Sequence, residues 1–214
     1  DNNLTIAEAL RAAGYHTAMT GKWHMGKAYT PVDCGFDDFY GFHNGAMTYW
    51  NPERYVRLPE TAPRREYARG EFYATDVITD YAIDFAARAR ELHKPLFLHV
   101  AYNAPNFPLQ APRERIDHYM EIYLKGWDAI REEREARLRR LGLLSDEEQA
   151  AGRGVVPASQ FIDLTRPVPA WEELPEEQRH DLARRMAIYA AMIDIMDRNI
   201  GRLVEALRDN GQLE

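Results

Sequence analysis

Hydrophobic and polar positions along the chain alternate between stretches of helical period and short, nearly unbroken apolar runs. Leu4 to Ala13 reads as a helix with legible ends: Thr5 and Glu8 form a capping box, Leu4 precedes the cap and Gly14 stops it. Tyr15 to Thr20 then reads as a buried strand. Residues 72–92 predict a second helix, with Phe72, Val77, Ile78, Tyr81, Phe85, Ala89 and Leu92 mostly three or four residues apart, able to cover one face of a sheet. After Lys94-Pro95, the run Leu96 to Tyr102 has the pattern of a central strand buried on both faces. From Leu182 to Leu207 a stripe steps by four and three through Met186, Tyr189, Ile193, Met196, Ile200 and Leu203, widened by Ala190, Ile195 and Val204, and Asn210-Gly211 stops it. That spacing predicts a long helix packed lengthwise on a sheet rather than a coiled coil. Helices alternating with buried strands make an open α/β sheet the expected fold class.

Between these elements the text changes. Lys27 to Gly70 reads as loop, broken by Pro31, Pro52, Pro59 and Pro63. Residues 113–153 are dense in charge, with Glu133/Arg137 and Glu135/Arg139 as helical pairs, and read as a solvated helix. Gly152 to Pro175, with its prolines, connects onward, so that a charged helical insertion is expected at about 113–175.

Composition narrows the function classes. The 214 residues suit one core, and 45% apolar with 29% charged residues describe an ordinary globular protein. A formal charge of −7 argues against a nucleic-acid partner, because phosphate backbones demand a basic face. No apolar run reaches the length of a membrane span, which leaves the compartment and the oligomeric state open. Cys34 is the only cysteine, so no internal disulfide forms, and it reads as a small apolar filler. The chain opens at Asp1 ahead of a helix start and ends at Glu214 just past a helix stop, as an excised piece would.

The candidate chemistry lies at Gly21-Lys22-Trp23-His24-Met25-Gly26, where glycines let the backbone turn as the first strand ends. A lysine and a histidine two residues apart in extended backbone project to one side and can close on one small oxyanion. A phosphate-cradling P-loop is excluded, since His16 stands where its first glycine belongs and Trp23 where Ser or Thr should hold magnesium. Asn103 to Pro112 has too many prolines to continue a strand and forms a rigid loop beside the first one. His99 reads as a hydrogen-bonded core histidine. Tyr49 and Trp50 read as a core pair that could also line a substrate wall. Paired Asp37 and Asp38 suit a hard cation, but we assign them to a turn.

The run Thr5 to Gly26 resembles the interior signature of type I sulfatases of the alkaline-phosphatase-like superfamily, as do Gly35 to Phe42, the Pro-rich loop around Asn106, and Tyr189 to Leu203. The resemblance spans nearly the whole chain and implies an incomplete sulfatase catalytic domain, its central sheet flanked by helices. It implies hydrolysis of a sulfate monoester, aryl or carbohydrate, with Lys22 and His24 as catalytic and substrate-binding residues and Asn106 as a further substrate-binding residue. It also implies calcium and a formylglycine nucleophile, both from segments outside this sequence, so that no metal ligand is expected within it and the piece alone is expected to be inert. The family usually carries His at the position of Asn106, where it protonates the leaving oxygen; an amide can hydrogen-bond but cannot supply that proton. A phosphonate monoester or phosphodiester hydrolase of the same superfamily, and an inactive anion-binding homologue, are the alternatives.

Overall fold

A computed structural model describes residues 3–213 apart from 27, 44 and 146–168. The described chain divides into two compact units, Asp1–Pro112 with Tyr189–Glu214, and Arg113–Ile188.

The first unit is built on four strands: β1 (His16–Lys22), β2 (Asp38–Phe42), β3 (Val56–Leu58) and β4 (Leu96–Ala101), in the order β3-β2-β1-β4. β2 and β4 both run parallel to β1, while β3 is antiparallel to β2. Helix α1 (Ile6–Ala12) leads into β1 and carries the predicted capping box, Thr5 accepting from the Glu8 amide and Glu8 from the Thr5 amide. Helix α2 (Ala74–Glu91) buries Val77, Ile78, Tyr81, Phe85 and Ala89 and packs against β1, β4 and β2. On the other face Ala7, Met19, Trp23, Phe36 and Phe39 form a core cluster, and Cys34 fills part of its edge. Burial, ahead of the charges of Glu8 and Asp33, pushes the Cys34 thiol up, as befits a packed rather than a reactive sulfur.

Several expectations are corrected. The stretch read as loop contains β2 and β3; every residue of β2 is buried, so its sequence shows neither alternation nor an aliphatic run. Asp38 opens β2 and is buried among cations: Arg57 and Arg88 hydrogen-bond its Oδ1, and His16 Nε2 lies 3.1 Å from Oδ2. Burial would raise the Asp38 carboxyl, but hydrogen bonds from His16 and Arg57 and the charges of Arg57 and Arg88 hold it below its ordinary value. Asp37 accepts from the Thr17 amide and hydroxyl. The pair is structural, as the turn assignment anticipated in kind though not in place.

Among the described residues β4 has one strand neighbour and is only half-buried, so it is an edge of the described sheet, and His99 on it is exposed rather than in the core. The long helix α5 (Glu176–Asp209) forms and stops at Gly211 as predicted, but on a different face. Ala183, Ala187, Ala191, Met192, Ile195 and Asn199 are buried, while Met186, Tyr189, Ile193 and Ile200 of the predicted stripe are exposed to about 40%. Within the first unit the seam between α5 and α2 is polar, with Asn199 donating to Asp76 at 2.7 Å and Arg202 to Asp80 at 2.6 Å.

The second unit holds α3 (Arg113–Tyr123), α4 (Trp127–Arg140) and the start of α5, and neither α3 nor α4 has a buried residue. Glu133 pairs with Lys125 at 3.0 Å instead of with Arg137, because the reverse turn at Gly126 brings that lysine back over the helix. Gly126 has φ +89, and a β-carbon there would stand 2.3 Å from the Trp171 ring. Most of the proline-rich connector, Gly152 to Pro175, lies outside the described residues.

Candidate functional site

Because β1, β2 and β4 are parallel, their carboxyl ends open on one edge of the sheet, the place where open α/β sheets gather ligands. Lys22 is the last residue of β1, opposite Phe42, the last of β2. The strand continues through Gly21, so the turn comes after Lys22 and not at the glycine. Gly21 is needed for a different reason: a β-carbon there would stand 1.8 Å from the Ala101 carbonyl oxygen, and one on Gly41 would stand 1.8 Å from the Gly21 oxygen. Two glycines thus let three strands close together just below the lysine. Lys22 is half-buried, and no carboxylate among the described residues pairs with it, so its ammonium is uncommitted.

Trp23 fixes the next step of the chain, its amide donating to the Phe42 carbonyl at 2.8 Å and its indole to the Tyr29 carbonyl at 2.9 Å. His24 is exposed beyond it and leans over Gly45, where a β-carbon would meet its Nε2 at 3.2 Å. Gly45 also receives the third predicted residue: Asn106 Nδ2 donates to its carbonyl at 3.5 Å. His24 and Asn106, far apart in sequence, therefore flank the same glycine at the mouth of the sheet.

The loop carrying Asn106 is braced by Asn103 and Gln110, which the sequence did not single out, and by Tyr49, which it read as core. Asn103 is buried and donates to the Met47 carbonyl at 2.9 Å, and the Asn106 amide closes a turn onto the Asn103 carbonyl at 2.8 Å. Gln110 accepts from the Tyr49 amide at 2.8 Å and the Thr48 hydroxyl at 3.1 Å. Tyr49 is fully buried and donates to the Asn106 carbonyl at 3.0 Å, so it supports the loop and is no substrate wall. Burial pushes the Tyr49 phenol up, which keeps it a neutral donor. Trp50 is 41% exposed and rests on Tyr73. A buried amide and a glutamine between prolines carry no periodic signal, and only the pairing of two distant loops reveals them.

This arrangement can hold an oxyanion: a cation at the strand end, an imidazole and an amide on the two neighbouring loops. Among the described residues no group of three or more His, Cys, Asp or Glu could hold a metal ion, and Asp37 and Asp38 are committed to Thr17, His16 and Arg57.

The model of the family described as Sulfatase matches residues 1–214. The chain belongs to the sulfatase family. It is 33% identical over 221 residues to an arylsulfatase of Klebsiella aerogenes, covering 99% of this chain and 45% of that protein. It is 30% identical over 228 residues to an uncharacterized sulfatase of Schizosaccharomyces pombe, covering 100% of this chain and 39% of the other. This sulfatase chain thus spans less than half the length of the curated relatives it matches. Among solved structures, Ps i-CgsB in complex with k-i-k-neocarrahexaose superposes with a TM-score of 0.57 at 23% identity, over 97% of this chain and 37% of that one. A protein bound to its substrate D-glucosamine-2-N,6-O-disulfate superposes at 0.53 and 22% identity, over 99% of this chain and 48% of that one. These neighbours establish the alkaline-phosphatase-like α/β fold expected from the sequence.

Proposed function

We propose that the whole protein to which this sulfatase chain belongs hydrolyses sulfate monoesters, aryl or carbohydrate, and that Lys22, His24 and Asn106 bind the sulfuryl group. The observation that carries the reading is the convergence of His24 and Asn106 on Gly45 beyond the strand end that bears Lys22. Lys22 offsets the negative charge of the sulfuryl oxygens, where a fixed cation in a partly buried site acts more strongly than in water. His24 brings a ring nitrogen that can accept a proton beside the anion. Asn106 donates a hydrogen bond and leaves the leaving-group proton to another source, which favours esters whose alcohol departs easily. Calcium and a formylglycine nucleophile are assigned to other segments of the protein, and none of these roles depends on a described residue ligating a metal.

The test is steady-state turnover of an aryl sulfate by the full-length protein. Lys22→Ala and His24→Ala are each expected to lower kcat on the order of a hundredfold or more, the usual loss for a positioned charge or proton acceptor. Unchanged turnover in both variants would overturn the assignment.

A further inference from the structure

The second unit contains a cavity of about 450 Å³, within the range of small-molecule sites, between α4, the short turn Trp171–Glu173 and the first turns of α5. Its walls are apolar and include Trp127, Trp171, Ile130 and Met186, and among the described residues its lining has three arginines, Arg131, Arg134 and Arg185, but no carboxylate. The indoles of Trp127 and Trp171 meet edge to face with centroids 4.9 Å apart. Trp171 is held firmly: it is 5% exposed, its amide donates to Asp128 at 3.2 Å, and Gly126 opens the space its ring occupies. One wall of the cavity is therefore preformed.

Charge decides what such a cavity takes. Arg185 is paired with Asp181 at 2.8 Å, whereas Arg131 and Arg134 have no ion pair among the described residues. Two guanidiniums without an ion pair among the described residues, lining one cavity with a pair of indoles, stand out in a chain whose formal charge is −7, where carboxylates are plentiful. Guanidinium groups recognise sulfonate, sulfate and carboxylate oxygens through paired N–H donors and stack on flat rings. We infer that this cavity binds an organic anion with a flat apolar body of one or two rings, the body against Trp127 and Trp171 and the anionic group on Arg131 and Arg134. Its lining includes neither Lys22 nor His24, and its occupancy does not depend on sulfate-ester hydrolysis.

Naphthalene-2-sulfonate, whose carbon–sulfur bond is not a sulfate ester, serves as the probe, with neutral naphthalene-2-sulfonamide as its partner. In calorimetric titrations of the intact chain we expect saturable binding of the sulfonate at one site, weakened about tenfold or more for the sulfonamide. The double variant Arg131→Gln/Arg134→Gln, which changes only exposed side chains, should lose the preference for the anion, and Trp127→Ala should weaken both probes. Lys22→Ala should bind the sulfonate as the parent does, which separates this cavity from the sheet mouth. The inference is overturned if the sulfonate gives no saturable heat, if the double variant binds it as tightly as the parent, or if Lys22→Ala abolishes the binding.

Discussion

The resemblance to the family implies an imidazole at the position of Asn106, whose side chain here spans two bonds, accepting from the Phe107 amide at 2.9 Å and donating to Gly45. An amide there orients but cannot act as an acid, so Asn106→His is expected to add general-acid help. In the full-length protein, turnover of alkyl sulfates, whose leaving oxygen needs a proton, should rise about a hundredfold, with aryl sulfates little changed; paired steady-state rates on the two esters check this. Gly21 makes the complementary case, of a residue chosen for what it lacks. Its φ is +98, and the Ala101 oxygen would stand 1.8 Å from any β-carbon added to it, so there is no room for a side chain and the obstacle is backbone. Gly21→Ala should destabilise the chain by about 3 kcal/mol or more, read as a shift in urea unfolding. At this scale the Lys22/His24 pair was singled out by its spacing and chemistry and Asn106 by the resemblance to the family, and the roles of all three belong to the proposal above. Asn103, Gln110 and the support that Tyr49 gives the loop were not legible, because the partners lie some sixty residues away and follow only from which loops become neighbours.

Elements were most legible where their boundaries are local chemistry. The Thr5/Glu8 box and Gly14 frame α1, and Gly211 at φ +67 ends α5. The face that α5 buries was misjudged, because its contact with α2 runs through small and polar residues rather than through the larger apolar stripe. Asn199 is central to that seam: 2% exposed, it donates to Asp76 and also to the Ile195 carbonyl. Burial pushes the Asp76 carboxyl up, opposed by the Asn199 hydrogen bond and the charge of Arg202. For such a group the charged form is the costly one in the fold, so stability is lost as pH rises from the unfolded value through the folded one. Asn199→Ala removes one compensating donor and should widen that window. The expected loss is about 1–3 kcal/mol at pH 7 and shrinks as the pH falls, because the raised carboxyl takes up its proton earlier than an ordinary aspartate; denaturant titrations at neutral and acid pH would show it.

At the scale of the molecule, burial is unevenly shared. All of β2 and all of β1 up to Gly21 are buried, and α2 is the helix that packs across them, whereas α3 and α4 bury no residue. Local opening is easiest where apolar contacts are few, so amide hydrogen exchange should be slowest in β1, β2 and α2 and fastest among the helices in α3 and α4. Equal protection of α4 and β1 would contradict this distribution. The same unevenness explains β4, whose apolar run predicted a central strand: hydropathy reports the capacity to be buried, and only the strand order shows that it is an edge of the described sheet.

By itself the sequence determined the α/β class, α1 with its cap, α2, the β1 and β4 runs and the extent of the long helix. These follow from period, capping and residue chemistry, all of which act over a few positions along the chain. Tertiary structure alone decided that Asp38 becomes a buried ion-pair hub, that β2 is a strand, which side of α5 faces inward, and that Gly45 joins His24 to Asn106. Each of these depends on groups distant in sequence becoming neighbours, and no local pattern encodes which neighbour a residue will meet.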